Sequence, residues 1–124
     1  MHENQYYLGR IVIWAKREDD VDMIDMSEEE REEFFEIGKK VKKVLKTLFQ
    51  PDRMNYANLQ NIANHLHVHI IPRYRAVRFY QGMSFVDENF GKNYAPYKNN
   101  YVIPEEVIFK IKDAIKERLE KDQQ

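Results

Sequence analysis

A single domain that mixes short strands with two amphipathic helices is the fold class this sequence predicts, and three observations carry the prediction. Leu8 to Trp14, Arg53 to Leu59 and His65 to Ile71 are short runs of strand-forming residues bounded by polar or charged turns. Two longer segments, one opening at Ser27 and one at Pro104, repeat apolar residues at spacings of three and four. The length, 124 residues, allows one core and leaves too little chain for a second of ordinary size. Residues 1–124 are accordingly one domain, with its core over about 7–75 and an aromatic tail and C-terminal helix over 76–121.

"LGRIVIW", Leu8 to Trp14, is a β-branched run that reads as one strand, and the charged segment "KREDDVDMIDM" after it reads as a loop. Ser27 with Glu30 makes a capping box, and the acidic cluster beside it sits where a helix dipole favours negative charge, so a helix starts at about Ser27. Phe34, Ile37, Val41, Val44, Leu45 and Leu48 form its apolar stripe, and it ends near Phe49, ahead of Pro51. Lys39, Lys40, Lys42, Lys43 and Lys46 cover the other face; balanced by the acidic start, they read as a solvated surface and not as a nucleic-acid patch. "RMNYANL" and "HLHVHII" are two strands joined by a polar turn around "QNIAN", which makes them an antiparallel pair. From Tyr74 to Tyr101, eight aromatic residues share a stretch with Gly82, Gly91 and Pro96 and show no helical period. Such a loop-like segment packs on its own domain, on a partner subunit or on a planar ligand. Pro104 then opens a helix with Val107, Ile108, Ile111, Ile115 and Leu119 on its apolar side.

Twenty basic against twenty-one acidic residues give a formal charge of −1, so the chain has no electrostatic footprint for long nucleic acid or an anionic membrane, and anion binding must be local. The absence of cysteine excludes a disulfide framework, thiol chemistry and cysteine zinc ribbons, and it fits a reducing compartment. No apolar run approaches the ~18 residues of a membrane span, and Met1 to Tyr7 is too polar for a secretory signal, so a cytoplasmic protein is expected.

Three of the chain's four histidines fall at alternate positions of "NHLHVHIIPRY". Residues two apart on a strand share a face, so His65, His67 and His69 line one side while Leu66, Val68 and Ile70 turn to the core. At a rise of ~3.3 Å per residue, neighbouring rings stem from Cα atoms ~6.6 Å apart and the outer pair from atoms ~13 Å apart. Zinc–nitrogen bonds of ~2.0–2.1 Å make this row a poor three-ligand site. A metal would need one adjacent pair and distant ligands, and no carboxylate lies between Arg53 and Val86. Imidazole is nucleophilic near neutral pH, and a ring whose far nitrogen donates a hydrogen bond has its free nitrogen aimed. The central ring, His67, is the natural attacker, with its neighbours donating to phosphate oxygens. Attack at phosphorus is the chemistry that fits the row, with a metal site as the alternative.

"HLHVHIIPR" resembles the histidine triad (HIT) motif, and "MNYANLQNIANHLHVHIIPRY" is similar to the compact HIT branch of diadenosine-tetraphosphate hydrolase-like proteins. The likeness covers roughly residues 7–75. It implies an α+β fold, a HIT-like antiparallel sheet with one long helix packed on it and a C-terminal helix, commonly paired into a homodimer. It also implies a nucleotide hydrolase or transferase that cleaves a dinucleoside polyphosphate, or a related phosphoanhydride or phosphoramidate, at the α-phosphate through a covalent nucleotidyl-histidine. Carried over, His67 is the nucleophile, His65 and His69 hold the phosphate, and Asn61, Asn55 and Arg10 are substrate contacts. No cofactor is required for this chemistry, although a divalent cation can assist polyphosphate binding. The chain departs from the pattern at Arg10, where many members carry a fourth histidine after a glycine, and at Gln60-Asn61, where a Gly-Gln pair is usual. About seven residues precede the first strand, so the N-terminal hairpin of longer members is expected to be absent and the pocket to be completed by the tail or a second subunit. These departures motivate a second expectation, a catalytically weak nucleotide-binding HIT module, and a metal-dependent enzyme is the third.

Overall fold

The computed structural model describes residues 1–2, 4–98 and 100–122. Its α+β architecture is a three-stranded antiparallel sheet, a separate two-stranded hairpin and two helices, in the order β1 (Ile11–Trp14), α1 (Glu28–Phe49), β2 (Arg53–Ala57), β3 (His67–Arg73), β4 (Arg78–Tyr80), β5 (Met83–Phe85) and α2 (Glu105–Asp122). The histidine-bearing strand β3 is central, with β1 on one side and β2 on the other.

Local chemistry sets the ends of these elements. The Ser27 hydroxyl accepts from the Glu30 N–H while the Glu30 carboxylate accepts from the Ser27 N–H, which starts α1 where the capping box predicts. Gln50, left-handed at φ 53°, closes the helix before Pro51. The predicted first strand is shorter than expected. Gly9 has φ +87° and Arg10 N–H donates to the Tyr7 carbonyl, so Leu8 to Arg10 form a turn and the strand begins at Ile11. A Cβ on Gly9 would stand 2.9 Å from Phe49 Cδ2 and 3.0 Å from Leu45 Cδ2, so both the backbone and the space require glycine here.

The second predicted strand stops at Ala57, where the Asn58 side chain turns back to the His67 carbonyl. The third runs His67–Arg73, two residues further on than expected, so His65 lies before the strand and Pro72 within it. Pro72 is tolerated because β1 pairs no further than Ile70, so the missing N–H falls on an unpaired side of β3. The aromatic tail, expected to lack regular structure, contains the β4–β5 hairpin, whose turn residues Gln81 and Gly82 are both left-handed. A capped 3-10 turn at Met23–Asp25 interrupts the charged loop. Pro104 precedes α2 and its carbonyl accepts the first helical N–H groups.

Ile70 and Ile71 are both fully buried, although alternation sends them to opposite faces of β3. Ile70 enters the main core with Ile11, Val44 and Leu45 of α1 and Ile111 of α2. Ile71 lies under a smaller cluster of Tyr6 and Tyr7 from the N-terminal segment and Tyr94 and Tyr97 from the tail. The aromatic segment therefore packs on its own domain. It covers one end of the sheet face that the helices leave bare, and the histidines occupy the rest of that face.

Candidate active site

His67 opens β3 directly opposite Trp14 of β1, and paired residues share a face, so the indole stacks on the imidazole with centroids 4.5 Å apart and planes 23° from parallel. His69 sits between Val12 and Ala57, its ring 5.0 Å from that of His67. His65, although outside the strand, keeps its ring 5.3 Å from Trp14. A ring from the start of the chain, His2, stands 5.5 Å from that of His69. His65, Trp14, His67, His69 and His2 thus form one continuous file of rings.

Fixed partners decide which nitrogen of each ring carries its proton. His67 Nδ1 lies 2.7 Å from the His65 carbonyl, which can only accept, so the proton is on Nδ1 and the lone pair on Nε2. His65 Nε2 donates in the same way to the Ala15 carbonyl at 2.6 Å. His69 Nδ1 lies 3.1 Å from Arg10 Nη2, and a guanidinium can only donate, so the neutral His69 ring has its N–H at Nε2. Burial, and then the charges of Arg10, His2 and His67, hold the His69 pKa down at about 4. The site therefore sets a lone pair on His67 beside an N–H donor on His69.

Arg10 is itself buried, 5% exposed. Its Nη1 donates to the Tyr97 hydroxyl at 2.9 Å, and its guanidinium carbon lies 5.5 and 5.6 Å from the Tyr94 and Tyr97 ring centres. Among the described residues no carboxylate pairs with it. This is a cation held by aromatic faces and hydrogen bonds at the rim of a histidine cluster.

Of the residues singled out in the sequence, His65, His67, His69 and Arg10 come together. Asn55, paired with Ile71, has its side-chain oxygen taken by Arg73 Nη1 at 2.8 Å, in a network with the buried Asp87. Asn61 is exposed in the turn before His65. That turn is held instead by Asn58, which donates to the His67 carbonyl and to the Gln60 amide, and by Gln60, which donates to the Val21 and Asn64 carbonyls. Trp14, Asn58, Tyr97 and His2 are site residues that sequence reasoning missed. Alternation along Arg10, Val12 and Trp14 could have pointed to Trp14 once β1 was known to pair with the triad strand. A cavity of about 370 Å³ between the N-terminal half of α1 and the sheet, walled by Ile13, Phe34, Ile37 and Val68, also reaches Trp14 and His67. Among the described residues, no group of three or more His, Cys, Asp or Glu is placed to hold a metal ion.

Residues 9–76 match the family model described as HIT domain. Among solved structures, a hypothetical histidine triad nucleotide-binding protein from Sulfolobus tokodaii strain 7 superposes with a TM-score of 0.71 at 18% identity, over 98% of this chain and 76% of that one. A Hit-like protein involved in cell-cycle regulation from Bartonella henselae gives 0.59 at 21% identity, over 89% and 70%. A histidine triad protein from Bradyrhizobium japonicum gives 0.59 at 23% identity, over 89% and 75%. At such identities the likeness speaks for the fold. No curated protein matches the sequence.

Proposed function

The chain belongs to the HIT domain family, and on that footing we propose that it is a nucleotide hydrolase or transferase, of the diadenosine-tetraphosphate hydrolase-like kind, that works through His67. The observation that carries this reading is the bond from His67 Nδ1 to the His65 carbonyl, which leaves Nε2 with its lone pair available. Nε2 attacks the α-phosphorus of a dinucleoside polyphosphate or related nucleotide. The phosphorus–nitrogen bond forms as the bond to the leaving phosphate oxygen breaks, and that oxygen departs with the electron pair. The imidazole gains positive charge in this step, which the carbonyl acceptor on Nδ1 stabilises. Water then attacks phosphorus, the phosphorus–nitrogen bond breaks back to Nε2, a proton is released to solvent, and a nucleoside monophosphate leaves. His69 Nε2–H donates to a non-bridging oxygen, and Arg10 fixes His69 in the tautomer that allows it. The cavity beside α1, which counts His67 with Lys16, Arg17, Glu30 and Glu33 among its lining residues, is of a size for the nucleoside. Asn61 and the side-chain nitrogen of Asn55 are polar groups for more distant parts of the substrate. We read the active form as a cytoplasmic homodimer that needs no cofactor for the chemistry, with a divalent cation assisting polyphosphate binding.

One observation favours a second reading, a nucleotide-binding module with weak catalysis: Trp14 covers His67, which is only 7% exposed. Acid-sparing quench and intact-mass analysis of the protein mixed with dinucleoside polyphosphates separates the two. A mononucleotide adduct that is absent from His67→Asn is the expected result. Binding without adduct or product above the His67→Asn background would overturn the hydrolase reading in favour of the binding module.

A further inference from the structure

The stripe that α1 turns toward the sheet is not apolar throughout. Glu30, Glu33, Phe34 and Ile37 follow the helical spacing of three and four, so they share a face, and all four line the cavity that also counts His67 in its lining. Glu30 has partners that account for it. Its carboxylate accepts from the Ser27 N–H at 2.9 Å and from Arg17 Nη1 at 2.8 Å, so it caps the helix and ties down the segment after β1. Glu33 shares in neither bond. It is exposed as well as lining, so it stands where the cavity opens, and among the described residues its carboxylate is in no ion pair. Lys16 lines the same cavity from beyond the end of β1 and is also without a carboxylate partner among them.

These two uncommitted charges border a space of about 370 Å³ whose other walls include Ile13, Phe34, Ile37 and Val68. A flat, largely apolar body with one polar edge suits such a space: the walls supply contact, and the few polar groups fix orientation and choose among ligands of one shape. A purine base is such a body. An ionised carboxylate can only accept hydrogen bonds, and an ammonium can only donate them. Guanine offers two donors side by side on its Watson–Crick edge, N1–H and the 2-amino group, with the O6 acceptor next to them. That order matches a carboxylate and an ammonium on one rim. Adenine presents the opposite order, with a lone pair on N1 toward the carboxylate and a 6-amino group where the ammonium needs an acceptor.

We infer that Glu33 is a specificity-determining residue: its carboxylate accepts from the Watson–Crick edge of the base, with Lys16 donating to O6, so that the cavity takes guanine nucleotides in preference to adenine nucleotides. This rests on the nucleotide reading of His67 given above and names the base that the reading leaves open. A site built to hydrogen-bond its ligand rejects the analogue that lacks the matching group, because its own polar group is then left unpaired. Glu33 is open to solvent, which softens that penalty, and the preference is roughly tenfold, the low end for a hydrogen bond to a charged group.

The test is calorimetric titration of the full chain with GMP, IMP and AMP, for the wild type, Glu33→Ala, Glu33→Asp and Glu32→Ala, the last being an exposed neighbour outside the cavity lining. The wild type is expected to bind GMP roughly tenfold more tightly than AMP, with IMP, which keeps N1–H and O6 but lacks the 2-amino group, between them. Glu33→Ala is expected to bring GMP down to the AMP level. Glu33→Asp, which keeps a carboxylate, should retain part of the preference, and Glu32→Ala all of it. Each readout is a ratio within one protein, so a general loss of stability does not imitate it. No preference for GMP in the wild type, or a GMP-to-AMP ratio unchanged in Glu33→Ala, overturns the inference and leaves the nucleotide reading standing. Binding of none of the three by the wild type overturns both.

Discussion

The indole of Trp14 lies on the imidazole of His67, centroids 4.5 Å apart, because the two residues face each other in the register of β1 and β3. The stack covers the ring's face and leaves the Nε2 edge to be aimed, so its physical effect is to fix the plane in which the lone pair points. Aromatic stacking of this kind is worth about 0.5–1.5 kcal/mol beyond burial. Trp14→Ala is therefore expected to slow formation of the nucleotidyl adduct by roughly three- to tenfold, with Trp14→Phe close to wild type, as read by quench-flow mass spectrometry. A faster rate in Trp14→Ala would mean that the indole occludes His67 and does not orient it. Trp14 is the chain's single tryptophan, so its emission should also change on nucleotide binding.

His69 gives the fold a pH dependence whose sign follows from its lowered pKa. Unfolded, the ring titrates near 6.5; folded, it is held at about 4 by burial first and by Arg10 next. Between these values the unfolded chain binds a proton that the folded chain does not, so stability falls as the pH drops through this window. The contribution is fully present above about pH 6.5 and exhausted below about 4. Denaturant midpoints of the wild type should decline from pH 7 to pH 4.5, and His69→Gln should decline less steeply. Asp19 and Glu30, whose pKa values are lowered from 3.8 and 4.5, lose their contributions mostly below this range. Equal slopes for the two proteins would contradict the assignment.

Arg73 and Asp87 form an ion pair at 2.7 Å with side chains 4% and 1% exposed, and Asp87 also accepts from the Tyr74 and Asn89 N–H groups. Breaking such a pair leaves a buried charge without a partner and costs about 3–5 kcal/mol. Asp87→Ala is expected to show that loss in chemical denaturation, and because Arg73 Nη1 also donates to the Lys92 carbonyl, to loosen the tail that carries Tyr94 and Tyr97. Asn55→Ala, which removes one acceptor from Arg73, should cost about 1–2 kcal/mol and affect stability more than turnover.

Where local chemistry decides, the sequence was legible. The capping box placed the start of α1, and the alternation of His67 and His69 against Val68 and Ile70 put the two histidines on the face away from the helices. Where the partner is distant in sequence, it was not. Pro72 looked like the end of a strand, and only the short reach of β1 shows why it is accommodated. The β4–β5 strands are three residues each and turn through Gln81, a residue that carries no turn signal. His2 reaches the site through Gln5, and no periodicity records a buried side chain that bonds three backbone groups.

Gly9 joins both halves of this account, since it packs on α1 and precedes Arg10. At φ +87° a side chain costs about 1–2 kcal/mol for the left-handed backbone alone. A Cβ 2.9 Å from Phe49 and 3.0 Å from Leu45 adds an overpacking cost of roughly the same size, so Gly9→Ala should destabilise the protein by about 2–4 kcal/mol. The two costs can be separated. Phe49→Leu relieves the Phe49 contact and leaves the Leu45 contact and the backbone strain, so the double variant should lose less than the sum of the single losses, by roughly the Phe49 part of the overpacking. Strict additivity would show that the contact with Phe49 carries none of the cost. Because Gly9 N–H is also held by Gln5, the single variant is expected to disturb the seat of His2 and Arg10 and to weaken nucleotide binding along with stability. Restoration of binding in the double variant would tie the fit of Gly9 on Phe49 to the geometry of the site.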